Sequence, residues 1–292
     1  METPLARNSR LVAPADLGQV LHLPYEDYAA ADAINAHGLM DLLESPAAYQ
    51  WRLKHPGEPT DELILGTVFD MALTEPERFA ATVLHGNRRT VKAEEGQLVV
   101  TPAQWQKLQG MLAGVRRNRI AVELLESRQH GQPTVYWRDA VHPVVCKARL
   151  DVLCQFGGKT VAADIKTARD ATPAGFARAA ATCHYDLQMA HYLEAGRATG
   201  LWRPDLFFFI VAHKSPPYDC FVYQAGDTFF SRGVSNRDHA MQLYAQCRAA
   251  QDWPGPAQFQ RLELPGWARP VLDPEPPPSV PAREDLPDLP DI

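Results

Sequence analysis

The sequence predicts an α/β (α+β) fold, a mixed β-sheet flanked by helices. Three observations carry that reading. Residues 133–141, 144–156 and 159–167 are alternating or β-branched, as strands are. Thr172-Pro173 then opens a capped helix that reaches Gly196 or Gly200. Two more strands follow at 206–212 and 218–224, joined by the turn-forming HKSPP.

The remaining elements fall around this centre. Residues 1–30 carry no decisive pattern. From Ile34 to about Leu53 the apolar spacing is helical, and Ser45-Pro46 divides it into two helices. Leu63 to Leu73 (LILGTVFDMAL) has helical length, and Glu75-Pro76 ends it. Residues 84–100 read as loop with short strands. Thr101-Pro102 starts a helix expected to continue through VRRNRI to about Glu126. A last helix spans roughly Ser231 to Gln251. Beyond Trp267 the chain is Pro-rich and acidic, too poor in apolar area to offset its ordering entropy, so residues 266–292 are expected to be a disordered tail on a 1–265 domain.

Composition narrows the function. Hydrophobic residues make up 46% of the 292, ample for a core. A formal net charge of −6 is unlike that of a general nucleic-acid coat protein. The tail from Trp267 holds six acids against two bases, a net of −4, which leaves −2 for the rest and room for short basic clusters. The five cysteines form no CxxC pair, which argues against a disulfide framework or a four-cysteine iron–sulfur or zinc site. Reduced thiols, and a start (METPLARNSRLVAPADLG) with no apolar leader core, point to the cytoplasm. The longest apolar run, LFFFIVA at 206–212, is too short to span a bilayer, so no membrane association is expected. No internal repeat is visible, nor a GxSxG, Walker A, HExxH or GxGxxG arrangement.

Residues 151–166 read DVLCQFGGKTVAADIK. Two apolar runs around Gly157-Gly158 signal a hairpin with a two-residue turn. In that register Phe156 faces Lys159 and Asp151 faces Asp164. Alternation puts Arg149, Asp151, Asp164 and Lys166 on one face. Leu150, Val152, Cys154, Val161, Ala163 and Ile165 take the other, the core face. Aspartate is depleted in strands, and like charges directly opposite each other, roughly 4.5–5.5 Å apart at Cβ, are destabilising. A divalent cation between the carboxylates removes that repulsion. Mg2+ takes oxygen ligands, and such an ion activates water and neutralises charge developing on a phosphate. Lys166, one pleat beyond Asp164, supplies a point charge for the water or the transition state. This outlines a phosphodiester-hydrolysing centre. An ordinary solvated face, with Lys166 and Arg149 as counter-charges, also fits the hairpin taken alone.

The wider sequence resembles the PD-(D/E)XK nuclease superfamily. Asp151 followed by Asp164-Ile165-Lys166 is similar to its signature. LGTVFDMALTEPERF at 65–79 resembles the G-T-x-x-[HDE]-x-x-L helix of the exonuclease branch. CKARLD at 146–151 is similar to that branch's strand into the first aspartate, and ADIKTARDATPAGFARA at 163–179 to its D-x-K-T strand and following helix. Gln188 to Tyr192 fits the QxxxY motif, and FFFIVAHKSPPYDCFVY at 207–223 resembles the next strand pair. These matches cover most of 34–255 in order. They are nearest to RecE-type phage or prophage exonucleases, and more distantly to lambda exonuclease.

The resemblance implies a restriction-endonuclease-like core and a double-strand DNA exonuclease working 5′→3′. Asp151, Asp164 and the Ile165 carbonyl would bind Mg2+, with Mn2+ as a substitute, and Lys166 would position the attacking water. Gln188 and Tyr192, four apart on one helix face, would contact the DNA strand or the water, with Tyr185 on the same face. Asp70 stands where RecE-type relatives usually place a metal-binding histidine. A hard oxygen ligand suits Mg2+ or Mn2+ at least as well, and its place in an apolar helix predicts a buried, partnered acid. The resemblance further implies a bacterial or phage-encoded protein. It would form a homo-oligomeric ring, a trimer or tetramer, on double-stranded ends beside a single-strand annealing protein of the RecT or Red-beta type. A restriction or repair endonuclease and a silent DNA-binding module are the alternatives.

Weaker candidates surround this set. Arg149 shares the charged face, Lys147 lies a pleat further out and Thr167 follows Lys166, and all three are candidate phosphate contacts. Arg116, Arg117 and Arg119 form one basic run and Arg88, Arg89 and Lys92 another, each a DNA contact or a solvated face. His37, His184 and His191 are candidate neighbours of the centre.

Overall fold

Gly157 and Gly158 take φ of +56° and +76°. A type I′ turn needs positive φ at both central residues, which glycine adopts without steric cost. The computed structural model describes residues 10–256 apart from Pro56, Glu95 and 203–205, and the expected disordered tail lies outside the described residues. The turn joins β7 (Val152–Phe156) to β8 (Lys159–Ala168), with Phe156 opposite Lys159 and Val152 opposite Ala163. The expected register holds. Asp151, one residue beyond the ladder, falls opposite Asp164.

The chain before the hairpin begins with a 3-10 turn at Pro14–Asp16, then β1 (Val20–Leu21) and α1 (Tyr25–Ala30). Helices α2 (Ala36–Glu44) and α3 (Pro46–Lys54) follow, divided at Ser45 as expected, and its hydroxyl caps α3. Next come α4 (Asp61–Thr74), α5 (Pro76–Thr82) and a short parallel pair, β2 (Val83–His85) with β3 (Leu98–Val100). Helices α6 (Pro102–Arg117) and α7 (Arg119–Glu126) precede β4 (Arg128–Gly131), β5 (Thr134–Arg138) and β6 (Val145–Arg149). After the hairpin lie α8 (Pro173–Thr182), α9 (Tyr185–Thr199), β9 (Phe207–His213), β10 (Cys220–Gln224) and α10 (Asp227–Ala250).

The main sheet runs β10-β9-β8-β7-β4. Only β8 and β9 are parallel, because α8 and α9 carry the chain across between them, while the other neighbours are antiparallel. Both faces are covered. Val161, Ala163, Ile210 and Ala212 pack against α4, α6 and α7, whereas Ala162, Phe207, Phe209 and Val211 pack against α8, α9 and α10. The face that carries Asp164 is therefore core as well, which the sequence reading had left open to solvent. Among the described residues no helix is long and apolar enough to cross a membrane.

Three expected elements are divided. The strand expected over 144–156 becomes β6 and β7, which belong to different sheets. Thr134 faces Arg149 and Gly131 faces Val152, the same offset on either side of the division. The four strands thus form one ribbon, bent where Gln132 lies opposite Asp151. At the bend Leu150 packs away from Val152 and Ile165, in the other core, instead of sharing their face. The helix expected over 101–126 breaks at Asn118, whose side chain caps α7 at Ala121 N. The helix after Thr172 breaks at Cys183-His184, where His184 is left-handed at φ +53°.

Candidate active site

The bend opens a cavity of about 490 Å3 lined by Asp70, Asp151, Asp164, Lys166, Gln188 and Tyr192, among others. Asp151 sits where the β7 ladder ends, and its Oδ2 accepts a 2.8 Å hydrogen bond from the Ile165 amide. Asp164 is fully buried in β8. Asp70 enters from α4, where its neighbours Val68 and Phe69 are anchored in the core. Its Oδ2 accepts from the Gln132 amide. The expected partner is present, but Asp70 is half-buried where full burial was expected.

Burial and the charges of neighbouring acids perturb Asp70 and Asp151. Burial, and then the charge of Asp164, push Asp70 up from the ordinary carboxylate value to about 7. Asp151 is raised well above that ordinary value by burial, then by Asp70 and Asp164, against the pull of the Ile165 amide. Lys166 Nζ pairs with Asp164 Oδ2 and lies 4.7 Å from the centre of the Tyr185 ring. Burial alone would lower the lysine, but Asp164 and Asp151 outweigh it and hold the ammonium charged. On α9, the Gln188 amide donates to the Tyr192 hydroxyl at 2.9 Å, so the expected shared face is real and points into the cavity. Burial raises the Tyr192 hydroxyl well above its usual range and keeps it a donor. Tyr185 meets Lys166 from outside the lining, and Thr167 is half-buried beside it.

The donor set suits a divalent cation without enclosing one. Among the described residues no three His, Cys, Asp or Glu side chains form a preassembled cage. Yet Asp70 Oδ1 and Asp164 Oδ1 are buried and accept no hydrogen bond. Orphaned carboxylate oxygens are costly unless a proton or cation meets them. Ile165 lines the same cavity, and a strand residue's N–H and C=O point to the same neighbour, which puts its carbonyl on the Asp151 side. The expected ligands Asp70, Asp151, Asp164 and Ile165 therefore face one space and offer hard oxygens, the chemistry of Mg2+ or Mn2+.

Several weaker candidates are placed elsewhere. Lys147 is buried, and its ammonium donates to the carbonyls of Tyr28, Ala29 and Ala31 at 2.8, 3.1 and 2.9 Å. It closes the C-terminal end of α1 and has no proton left for a phosphate. Arg149 lines the cavity, but it donates to Gln132 and the Leu23 carbonyl and pairs with Glu75 at 3.5 Å. Arg117 donates to the Pro217 and Tyr218 carbonyls, and Arg116 is exposed nearby, away from the cavity. Arg119, Arg89 and Lys92 are likewise exposed outside it, and Arg88 is tied to Asp61 and the Val99 carbonyl. His191 is wholly buried, bonded to the Lys147 carbonyl and driven down to about 3 by burial. His184 stands at the α8–α9 break. Of the three, only His37 joins the lining.

The sequence reading missed Gln132. Its amide donates to Asp70 Oδ2 and to Thr74 Oγ1 at 3.2 Å, and its carbonyl accepts from Arg149 Nε at 2.9 Å. Its φ of +42° is unusual for a residue that is not glycine, and three hydrogen bonds hold it there. The one local signal was its place in Gly131-Gln132-Pro133, a turn-forming stretch just ahead of the strand expected from residue 133.

The sequence matches the family described as a PDDEXK-like domain of unknown function (DUF3799) over residues 37–260. A comparison with the curated proteins finds none that matches. Among solved structures, one described as a "Putative exonuclease" from Eubacterium rectale aligns with 15% identity and TM-score 0.57, over 84% of this chain and 96% of that one. A structure described as SSO0001 aligns at 13% identity and TM-score 0.30, over 71% of this chain and 84% of that one, too distant to carry an argument.

Proposed function

This chain belongs to the PDDEXK-like family, and we propose that within it the protein is a divalent-metal-dependent exodeoxyribonuclease acting on double-stranded ends. Family and fold together support a nucleic-acid hydrolase. The observation that carries the proposal is the gathering of Asp70, Asp151, Asp164, Lys166, Gln188 and Tyr192 in one cavity. A divalent cation bound to those carboxylates supplies a nucleophile at neutral pH and neutralises charge on the phosphate. The chain's own residues do the rest. Asp164 holds the Lys166 ammonium beside the carboxylates, where it donates to the attacking water or to a phosphate oxygen. Gln188 and Tyr192 present fixed donors to the strand. Water adds to phosphorus and the P–O3′ bond breaks, leaving a 3′-hydroxyl and a 5′-phosphate.

The finer reading rests on the resemblance to RecE-type enzymes. The enzyme would work 5′→3′, release 5′-mononucleotides and leave 3′ overhangs for an annealing protein of the RecT or Red-beta type in a bacterial or phage-infected cytoplasm. A homo-oligomeric ring of three or four copies would confine positive potential to a channel and reconcile a net charge of −6 with DNA binding. The test compares linear and closed-circular duplex DNA with Mg2+. Loss of the linear form alone is expected, and cutting of circles would make the protein an endonuclease. Linear duplexes labelled on each strand, with one 5′ end blocked, then report polarity.

A further inference from the structure

A second cavity of about 540 Å3 adjoins the first and shares Tyr25, Glu75, Arg78, Gln132 and Arg149 with it. The catalytic centre therefore opens at one side into a space within the roughly 300–1,000 Å3 range of ligand-binding pockets. Its wall holds an aromatic ring in the open. Tyr25, the first residue of α1, is 54% exposed, whereas Tyr28 one turn later is buried, its ring 6.2 Å away. Exposed tyrosine is ordinary in isolation. Here the ring stands where two cavities meet, beside an acid cluster suited to phosphodiester chemistry.

The charges of this second space are balanced. Glu75 pairs with Arg78 at 2.9 Å and with Arg149 at 3.5 Å, and Glu26 also lines the wall. A cavity so neutralised does not gather phosphates. It suits an uncharged planar group, while the half-exposed Arg78 guanidinium at the shared edge remains within reach of a backbone phosphate. Gly96 lines the far side, with open space where a side chain would begin.

We propose that this second cavity is a nucleotide subsite, which takes one unstacked base of the substrate strand, next to the nucleotide being cut, on the Tyr25 ring. The inference rests on the nuclease reading and deepens it. Base–aromatic stacking tolerates any sequence, as an enzyme that degrades whole strands requires. It also separates the terminal bases from the duplex at the point where the strand enters the acid cavity.

The test uses the full chain and linear duplex oligonucleotides with a few unpaired terminal nucleotides, carrying 2-aminopurine one nucleotide from the unpaired end, with Ca2+ for binding and Mg2+ for cleavage. Tyr25→Ala is expected to weaken binding about 5- to 150-fold, equivalent to the ~1–3 kcal/mol of one stacked base. It should also abolish the fluorescence quench, and raise KM more than it lowers kcat. Tyr25→Phe restores the quench, because the ring and not the hydroxyl carries the contact. A wild-type protein that binds and cuts DNA, with Tyr25→Ala binding equally well, overturns the subsite and leaves the nuclease reading intact. A wild-type protein that neither binds nor cuts overturns both. Thermal melts of both variants check that the exposed substitution leaves the fold unchanged.

Discussion

Replacing Asp70 with asparagine should stabilise the cation-free protein, and only at high pH. Asp70 titrates near 7 instead of the ordinary 3.8, so its native form prefers the proton. The native-state advantage is complete below about pH 4, where both forms are protonated, and is lost as pH rises through about 7. A shift of that size corresponds to at most about 4 kcal/mol. Asp70 is only half-buried, so water relieves part of the strain, and about 1–3 kcal/mol is expected at pH 8. Asparagine keeps the shape, still accepts from Gln132 and carries no charge toward Asp164. In differential scanning calorimetry with EDTA, Asp70→Asn should melt about 3–9 °C above wild type at pH 8. At pH 4 the difference should vanish. Added Mn2+ should raise the wild-type melting temperature more than the variant's, because the ion meets the charge that asparagine lacks. A variant less stable than wild type at pH 8, or equally stabilised at both pH values, would refute the repulsive carboxylate set.

Other expectations separate structural from chemical roles. Lys147→Met removes the ammonium donor from the Tyr28 and Ala29 carbonyls at the end of α1, while the Ala31 carbonyl keeps the Ala33 amide, so denaturant unfolding should show a loss of about 2 kcal/mol or more. DNA affinity of the folded variant should stay level, and a selective loss of affinity would return Lys147 to the phosphate contacts. Gln132→Ala should weaken Mn2+ binding by calorimetry several-fold, since Asp70 loses its tether. Gln132→Gly, which suits positive φ, should weaken it as much while costing less stability. Lys166→Ala should lower cleavage by about 10²–10³-fold while DNA binding in Ca2+ persists, and retained cleavage would remove Lys166 from the centre.

Much of the site was legible because it depends on local chemistry. Gly157-Gly158 dictates the turn, the turn dictates the register, and the register puts Asp151 opposite Asp164. Gln188 and Tyr192 were singled out by their resemblance to the QxxxY motif, and helical spacing supplied their shared face. The bend of the ribbon was not legible, because alternation continues straight through Leu150 and Asp151 while the strand changes sheets. Gln132 was hidden for the same reason, as its role exists only once the bend brings it opposite Asp151. Lys147 looked like a surface cation, since nothing near it in sequence announces the α1 carbonyls more than a hundred residues away. The break at Asn118 was readable, because asparagine ahead of an apolar turn is a cap signal.

The central claim is that the three carboxylates and Lys166 hydrolyse DNA from its ends with a divalent cation. Its most direct measurement follows a uniformly labelled linear duplex, counting acid-soluble nucleotides over time with Mg2+, Mn2+ or EDTA, for wild type and Asp164→Asn. The account predicts steady release of mononucleotides by wild type with either cation, none with EDTA and none by the variant. Release by Asp164→Asn at the wild-type rate, or an intact duplex under wild-type protein with both cations, would contradict it.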